Sequence, residues 1–236
     1  MPLNGILSAN KVEKFFSDIP DSRRIFFKQT MIIQIVLTVL LFGAMAINQD
    51  PISIIGLGFA YDWRLILSLL LLCFLGTWVI QIYIKRRNEA SIVREIERDT
   101  AVLFLYPRTK VEYHWSLGVS LTVGICEEII FRGFLYWQLA EWLPIIPAIL
   151  LTNVIFGLVH YATGFRNASL AFVLGVLLSV IFIYTSSLWL PILIHILVDV
   201  YAMTRGKRYF DLKSNVYDEA GARGRNHVMR IDKDID

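Results

Sequence analysis

The sequence predicts an all-α fold, a polytopic helical membrane bundle with about six transmembrane helices. Three observations carry that expectation. Of the 236 residues, 56% are hydrophobic and the mean hydropathy is +0.57, beyond the usual range of a soluble domain of this size. Long apolar runs alternate with short polar gaps, and the residue-by-residue alternation of a membrane barrel is absent. Basic residues alternate between loops: five Lys and Arg in 1–28, seven in 85–110, one in 162–168 and eight in 204–236, against only Arg64 in 48–64, 141–147 and 185–190. By the positive-inside rule this pattern fits six spans with both termini cytosolic.

The elements follow in order. Ile25 to Ile47 is long enough to span, and Pro51 after Asn48-Gln49-Asp50 cannot continue the helix. Ala44-Met45-Ala46 mimics a signal-peptidase site, but the leader and the apolar run are both too long for one. Ile52 to Tyr61, with Gly56 and Gly58, reads as a re-entrant or interfacial piece. Trp63 to Ile84 is the second span, closing on Lys85-Arg86-Arg87. Ile92, Val93, Ile96 and Leu103 recur at helical spacing among charges, which predicts an amphipathic, solvated connector helix. Span three covers 111–140, roughly 45 Å at about 1.5 Å per residue, so it tilts or protrudes. Pro147 suits the first turn of span four, which runs to Tyr161. Span five covers Ala168–Tyr184, with Gly175 and Ser179 as small residues for close helix contact. Thr185-Ser186-Ser187 breaks it, and span six runs from Leu188 to Met203. The organisation expected is a two-span region with its connector in 1–110, a four-helix core in 111–203, and a polar cytosolic tail, partly disordered, in 204–236. The tail's charges alternate in sign, so no nucleic-acid partner is expected.

Cys73 and Cys126 both lie in apolar segments, which excludes a disulfide framework and a Cys-x-x-Cys metal site. Cys126 adjoins Glu127, but a neighbouring carboxylate disfavours the thiolate, and Cys126 reads as a packing residue.

Cys126-Glu127-Glu128-Ile129-Ile130-Phe131-Arg132 places three ionisable groups inside span three. Such groups cost several kcal/mol in hydrocarbon unless paired or facing a wet cavity, and so mark a functional site. Glu128 and Arg132, four apart, share a helix face and can form an ion pair. Glu127 points elsewhere, so the acidities of the two carboxylates are pushed apart, which favours acid/base chemistry. His160 ends span four. His195 and Asp199 repeat the four-residue spacing on span six, where Asp199 can accept the ring N–H of His195 and fix its tautomer. A purely structural alternative is a polar clamp between helices.

Glu-Glu-Ile-Ile-Phe-Arg-Gly-Phe-Leu, then Phe-x-x-x-His, then His-x-x-x-Asp, on three apolar helices in that order, resembles the CPBP intramembrane protease family. That family contains the CAAX prenyl endopeptidases and bacterial proteins linked to bacteriocin self-immunity. The resemblance spans residues 127–199. It implies a membrane endopeptidase in which Glu127 and His160 activate a water, Glu128 and Arg132 support them, and His195 with the residue four later stabilises the oxyanion. That last position is often asparagine in the family and is Asp199 here; an ionised Asp199 would repel an oxyanion, so it is either protonated or only orients His195. The cofactor is either none or a divalent metal such as zinc, for which Glu127, His160 and His195 would be the ligands. The expected partners are the lipid bilayer and a peptide or protein substrate at the membrane; prenylated Cys-a-a-x peptides are those of the eukaryotic members. Six spans and a short tail are similar to the bacterial members, which implies a bacterial plasma membrane. The position of His160 six residues before Arg166 suggests a cavity open to the cytosol. Two other classes compete: a non-catalytic immunity or scaffold protein of the same fold, and a proton-coupled transporter, against which the lack of an internal repeat counts.

Overall fold

A computed structural model describes residues 21–58, 66, 89–97 and 100–233. The leader and, Ile66 apart, the expected span Trp63 to Ile84 lie outside the described residues. Every regular element described is helical: α1 (Ser22–Asn48), α2 (Glu89–Glu97), α3 (Lys110–Glu127), a π-helical segment (Glu128–Leu135), α4 (Tyr136–Ala140), α5 (Ile145–Val159), α6 (Phe165–Thr185) and α7 (Trp189–Lys233), with 3₁₀ turns at Ile52–Ile55, Thr100–Leu105 and His160–Thr163. Three stretches, Ser22–Asn48, Ile145–Thr163 and Phe165–Thr185, are long and apolar enough to cross a membrane. The chain is a helical membrane protein.

The helix ends follow local chemistry. At the end of α1, Gln49 takes a left-handed conformation and Asp50 N–H returns to Met45 O at 2.9 Å, before Pro51 ends the run. α3 opens on a capping box, Thr109 accepting from Glu112 N–H and Glu112 from Thr109 N–H. Ser186, also left-handed, makes the turn from α6 to α7.

In lipid the hydrophobic effect gives helices no reason to associate, so close packing and polar contacts must hold them. α1 lies along α3, α3 along α7, and α5 along α6. α1 turns Phe27, Thr38 and Met45 inward and leaves Ile32, Ile33, Val36, Val39 and Leu40 exposed, as a lipid-facing helix would. The piece after Pro51 enters the bundle: Ile55 is fully buried, and Gly56 O accepts from Leu188 N–H at 2.9 Å. Gly133 permits this approach, because a Cβ there would lie 3.1 Å from Ile55 Cβ and 3.3 Å from Leu188 Cδ1.

Two regions depart from expectation. The connector is solvated on one face only: Arg94 and Glu97 of α2 are exposed, while Ile92 and Ile96 are buried against Tyr209 of α7, with Val93, Leu103, Tyr106 and Phe210 around them. The apolar stripe that predicted a surface helix is covered by α7. The tail is likewise helical as far as Lys233, continuous with the sixth expected span. Lys207 pairs with Asp211 one turn on, which supports that continuation.

Candidate active site

The motif of span three falls where α3 gives way to the π-helical segment, Glu127 ending one and Glu128 starting the other. Such wide turns are rare and are frequent at functional sites. Both carboxylates are buried, with 7% of the Glu127 side chain exposed and none of Glu128.

Glu128 is held on two sides. Arg132 Nη1 donates to its Oε1 at 3.0 Å, and His195 Nδ1 lies 2.7 Å from the same oxygen. Arg132 is itself fully buried; its Nη2 donates to Asn153 Oδ1 at 3.2 Å and its guanidinium stacks 4.3 Å from the Phe156 ring centre. Asn153 donates onward to Ile149 O at 2.8 Å and Ser179 Oγ at 2.9 Å. Four helical segments, the π segment, α5, α6 and α7, are thus tied by one polar chain. Gly175 leaves room for it, since a Cβ there would meet Asn153 Oδ1 and Arg132 Nη2. Glu128 Oε2 and Arg132 Nε have no hydrogen-bond partner, and the geometry gives no account of them.

Glu127 has a different setting. Its Oε1 accepts from Gln34 Nε2 of α1 at 2.9 Å. Its Oε2 is buried with no hydrogen-bond partner, and faces His160 Nε2 at 4.0 Å and His195 Nε2 at 3.9 Å. The other nitrogen of each ring is occupied. His160 Nδ1 lies 2.9 Å from Phe156 O, a carbonyl that can only accept, so Nδ1 carries the proton and a neutral His160 offers a lone pair at Nε2. His195 Nδ1 donates to the Glu128 carboxylate. Phe156 packs against both rings, with centroids 4.6 Å from His160 and 6.1 Å from His195. One-quarter of the His160 side chain and 29% of that of Asp199 are exposed, so these two form the open side.

The structure therefore gathers Glu127, Glu128, Arg132, His160, His195 and Asp199 in one place. One expected contact is different. His195 does not give its ring N–H to Asp199; its Nδ1–H donates to Glu128 across the helices, and Asp199 Oδ2 stands 3.8 Å from Nε2, beyond hydrogen-bond reach. An i, i+4 neighbour is close, but a carboxylate across the bundle is closer. Gln34 and Asn153 were not expected in the site. Each is a lone amide in an apolar run, and that was their signal.

Residues 110–201 match the family model described as type II CAAX prenyl endopeptidase Rce1-like. All six motif residues lie inside the matched segment; Gln34 lies outside it. The chain is also 33% identical over 114 residues to "Putative membrane peptidase YdiL" of Bacillus subtilis (strain 168), an alignment covering 48% of this chain and 44% of that relative. The chain thus matches less than half of that relative's length. No solved structure matches. The family resemblance rests on these two matches.

Zinc is the cofactor to test against this geometry. Glu127, His160 and His195 have the right donor chemistry. Tetrahedral ligands at about 2.0 Å from zinc lie roughly 3.3 Å apart, while the contacts here are 3.9 and 4.0 Å. Among the described residues no group of three His, Cys, Asp or Glu is disposed to hold a metal ion. As placed, the three residues do not fit zinc. A water making bonds of about 2.8 Å separates its partners by roughly 4.6 Å at a tetrahedral angle and roughly 4.0 Å at a right angle, so these gaps take a water with a narrowed angle between its bonds.

Proposed function

We propose that this protein is an intramembrane endopeptidase that hydrolyses a peptide bond of a membrane-associated protein or peptide, with water activated by Glu127 and His160. One observation carries the reading: Glu127 Oε2, His160 Nε2 and His195 Nε2 converge at distances too long for direct bonding and suited to one shared water. The attacking water gives a proton to Glu127 as its oxygen bonds to the scissile carbonyl carbon. His160 orients that water through its Nε2 lone pair. His195, when protonated on both nitrogens, donates one N–H from Nδ1 to Glu128 and presents the other from Nε2 to the oxyanion. The C–N bond then breaks, and the proton on Glu127 passes to the leaving amine. Arg132 and Asn153 keep Glu128 in place, and Asp199 lines the open side.

The topology that suits this site has six crossings with both termini cytosolic, in a bacterial plasma membrane, with the open side facing the cytosol. The core would be 111–203, with 1–110 and 204–236 flanking it. The family description makes a prenylated Cys-a-a-x peptide the first substrate to try. The deciding experiment is cleavage of quenched peptides, prenylated and plain, by purified protein in detergent. Wild type is compared with Glu127→Gln, with and without a zinc chelator. Activity abolished by the substitution and kept under chelator supports this mechanism. Loss of activity under chelator with the fold intact would overturn the metal-free form. No cleavage by wild type of any peptide, where a family member cuts its own substrate, would overturn the peptidase reading.

A further inference from the structure

We infer that Gln34 is a positioning residue for Glu127, contributed by a helix outside the segment that matches the peptidase family. This rests on the endopeptidase reading. α1 is otherwise built for lipid and packing. Its inward stripe runs Phe27, Met31, Gln34, Thr38, Leu41, Met45, spaced three or four residues apart. Thr38 satisfies its hydroxyl within the helix, on Gln34 O at 2.9 Å. Gln34 instead directs its side-chain amide across the interface, donating to Glu127 Oε1 at 2.9 Å. An amide in the middle of a membrane helix is costly, and this one leaves its Oε1 buried and unbonded while its donor is spent on the carboxylate assigned as the base. The flipped amide would set oxygen against oxygen, so the donor orientation is fixed.

The contact has a geometric consequence. A glutamate carboxylate, at the end of three rotatable bonds, can present either oxygen to the histidines. Gln34 ties down Oε1, which leaves Oε2 facing His160 at 4.0 Å and His195 at 3.9 Å. Glu128 needs no such help, because Arg132 and His195 already fix it. α1 thus completes a site whose other members lie between 127 and 199.

The test uses Gln34→Met, which keeps length and removes the donor, and Gln34→Asn, which keeps the donor one methylene short. Three readouts are taken on full-length protein in detergent: kcat and KM for a peptide that wild type cleaves, the melting temperature, and the infrared carboxyl band of Glu127, found as the difference against Glu127→Gln. Expected for both variants is a fall in kcat of about tenfold, the order of one hydrogen bond to a charged group. KM and melting stay near wild type, and the Glu127 band shifts. A merely structural role would lower melting without moving the band. An unshifted band, or unchanged kcat with wild type active and Glu127→Gln inactive, overturns the role of Gln34 and leaves the peptidase reading intact. Wild type that cleaves nothing removes the reaction, and the positioning role with it.

Discussion

Glu127 and Glu128 are chain neighbours in opposite settings. Glu128 faces the interior of the bundle, where Arg132, His195, Asn153 and Ser179 form one bonded chain. Each carboxylate keeps one buried oxygen unbonded, but that of Glu127 faces two ring nitrogens at about hydrogen-bond distance plus one ångström. The first is what holds polar helices together in lipid, where a group without a partner is costly. The second is a cost without a structural return, and such costs concentrate where chemistry occurs. His195 belongs to both, its Nδ1 on the clamp and its Nε2 at the open side. Burial alone does not distinguish the two carboxylates; their hydrogen bonds do.

If that division is right, the two glutamates fail in different ways. Glu127→Gln keeps shape and the bond from Gln34, and removes the base. Peptidase activity is expected to fall by about 10²- to 10⁴-fold, the usual worth of a general base, with melting unchanged. A large loss of melting temperature in this variant would place Glu127 in the clamp. Arg132→Met is expected to act the other way, leaving Glu128 buried and charged with one partner gone. Breaking a buried pair costs about 3–5 kcal/mol, read as a large drop in melting temperature in detergent. Adding Glu128→Gln should recover part of that loss, because the stranded charge is removed. No recovery would mean that the pair is not what stabilises the region.

Much of this was legible in the sequence, for a physical reason. Charged residues in an apolar helix stand out, and four-residue spacing on a helix dictates proximity. The Glu128–Arg132 pair and the inward histidines follow from those two facts. The span boundaries near Asn48, Ala140 and Thr185 follow from Pro51, Pro144 and the serine turn. What escaped depends on distance in space. Nothing along α7 says that His195 turns its Nδ1 toward Glu128, 67 residues earlier, rather than toward Asp199. The π-helical turn at Glu128–Leu135 has no residue signature, since no proline lies in it. Gln34 and Asn153 are neutral, so a charge-based reading passes over them. The amphipathic stripe of α2 was readable, but not that Tyr209 would cover it.

Gly175 tests the clamp from its outer side. A methyl group there would collide with Asn153 Oδ1 and lie 2.7 Å from Arg132 Nη2. Neither group can retreat without losing its own hydrogen bond. Gly175→Ala is expected to destabilise by about 1–3 kcal/mol, the usual range for overpacking, seen as lower melting with activity falling in parallel. Activity lost at constant melting would show that the chain through Asn153 tunes the reaction and does not merely hold the helices.

Asp199 is where the two sides are hardest to separate, and its effect should be the smallest. It stands outside the hydrogen-bonded chain of Arg132 and Asn153, with His195 Nε2 at 3.8 Å and the charge of Glu127 and the ring of His160 within electrostatic reach. Its side chain is 29% exposed, so water screens it and the removal of its charge is felt weakly. Asp199→Asn keeps the shape and removes the charge that would oppose an oxyanion. Melting should not change, and kcat should change by less than about tenfold, because roughly 1.4 kcal/mol is more than a partly exposed contact of this length supplies. A rise would mean that the carboxylate opposes charge developing near His195. A fall beyond a hundredfold would mean that Asp199 holds a proton the reaction needs, and would move it from the edge of the site to its centre beside Glu127.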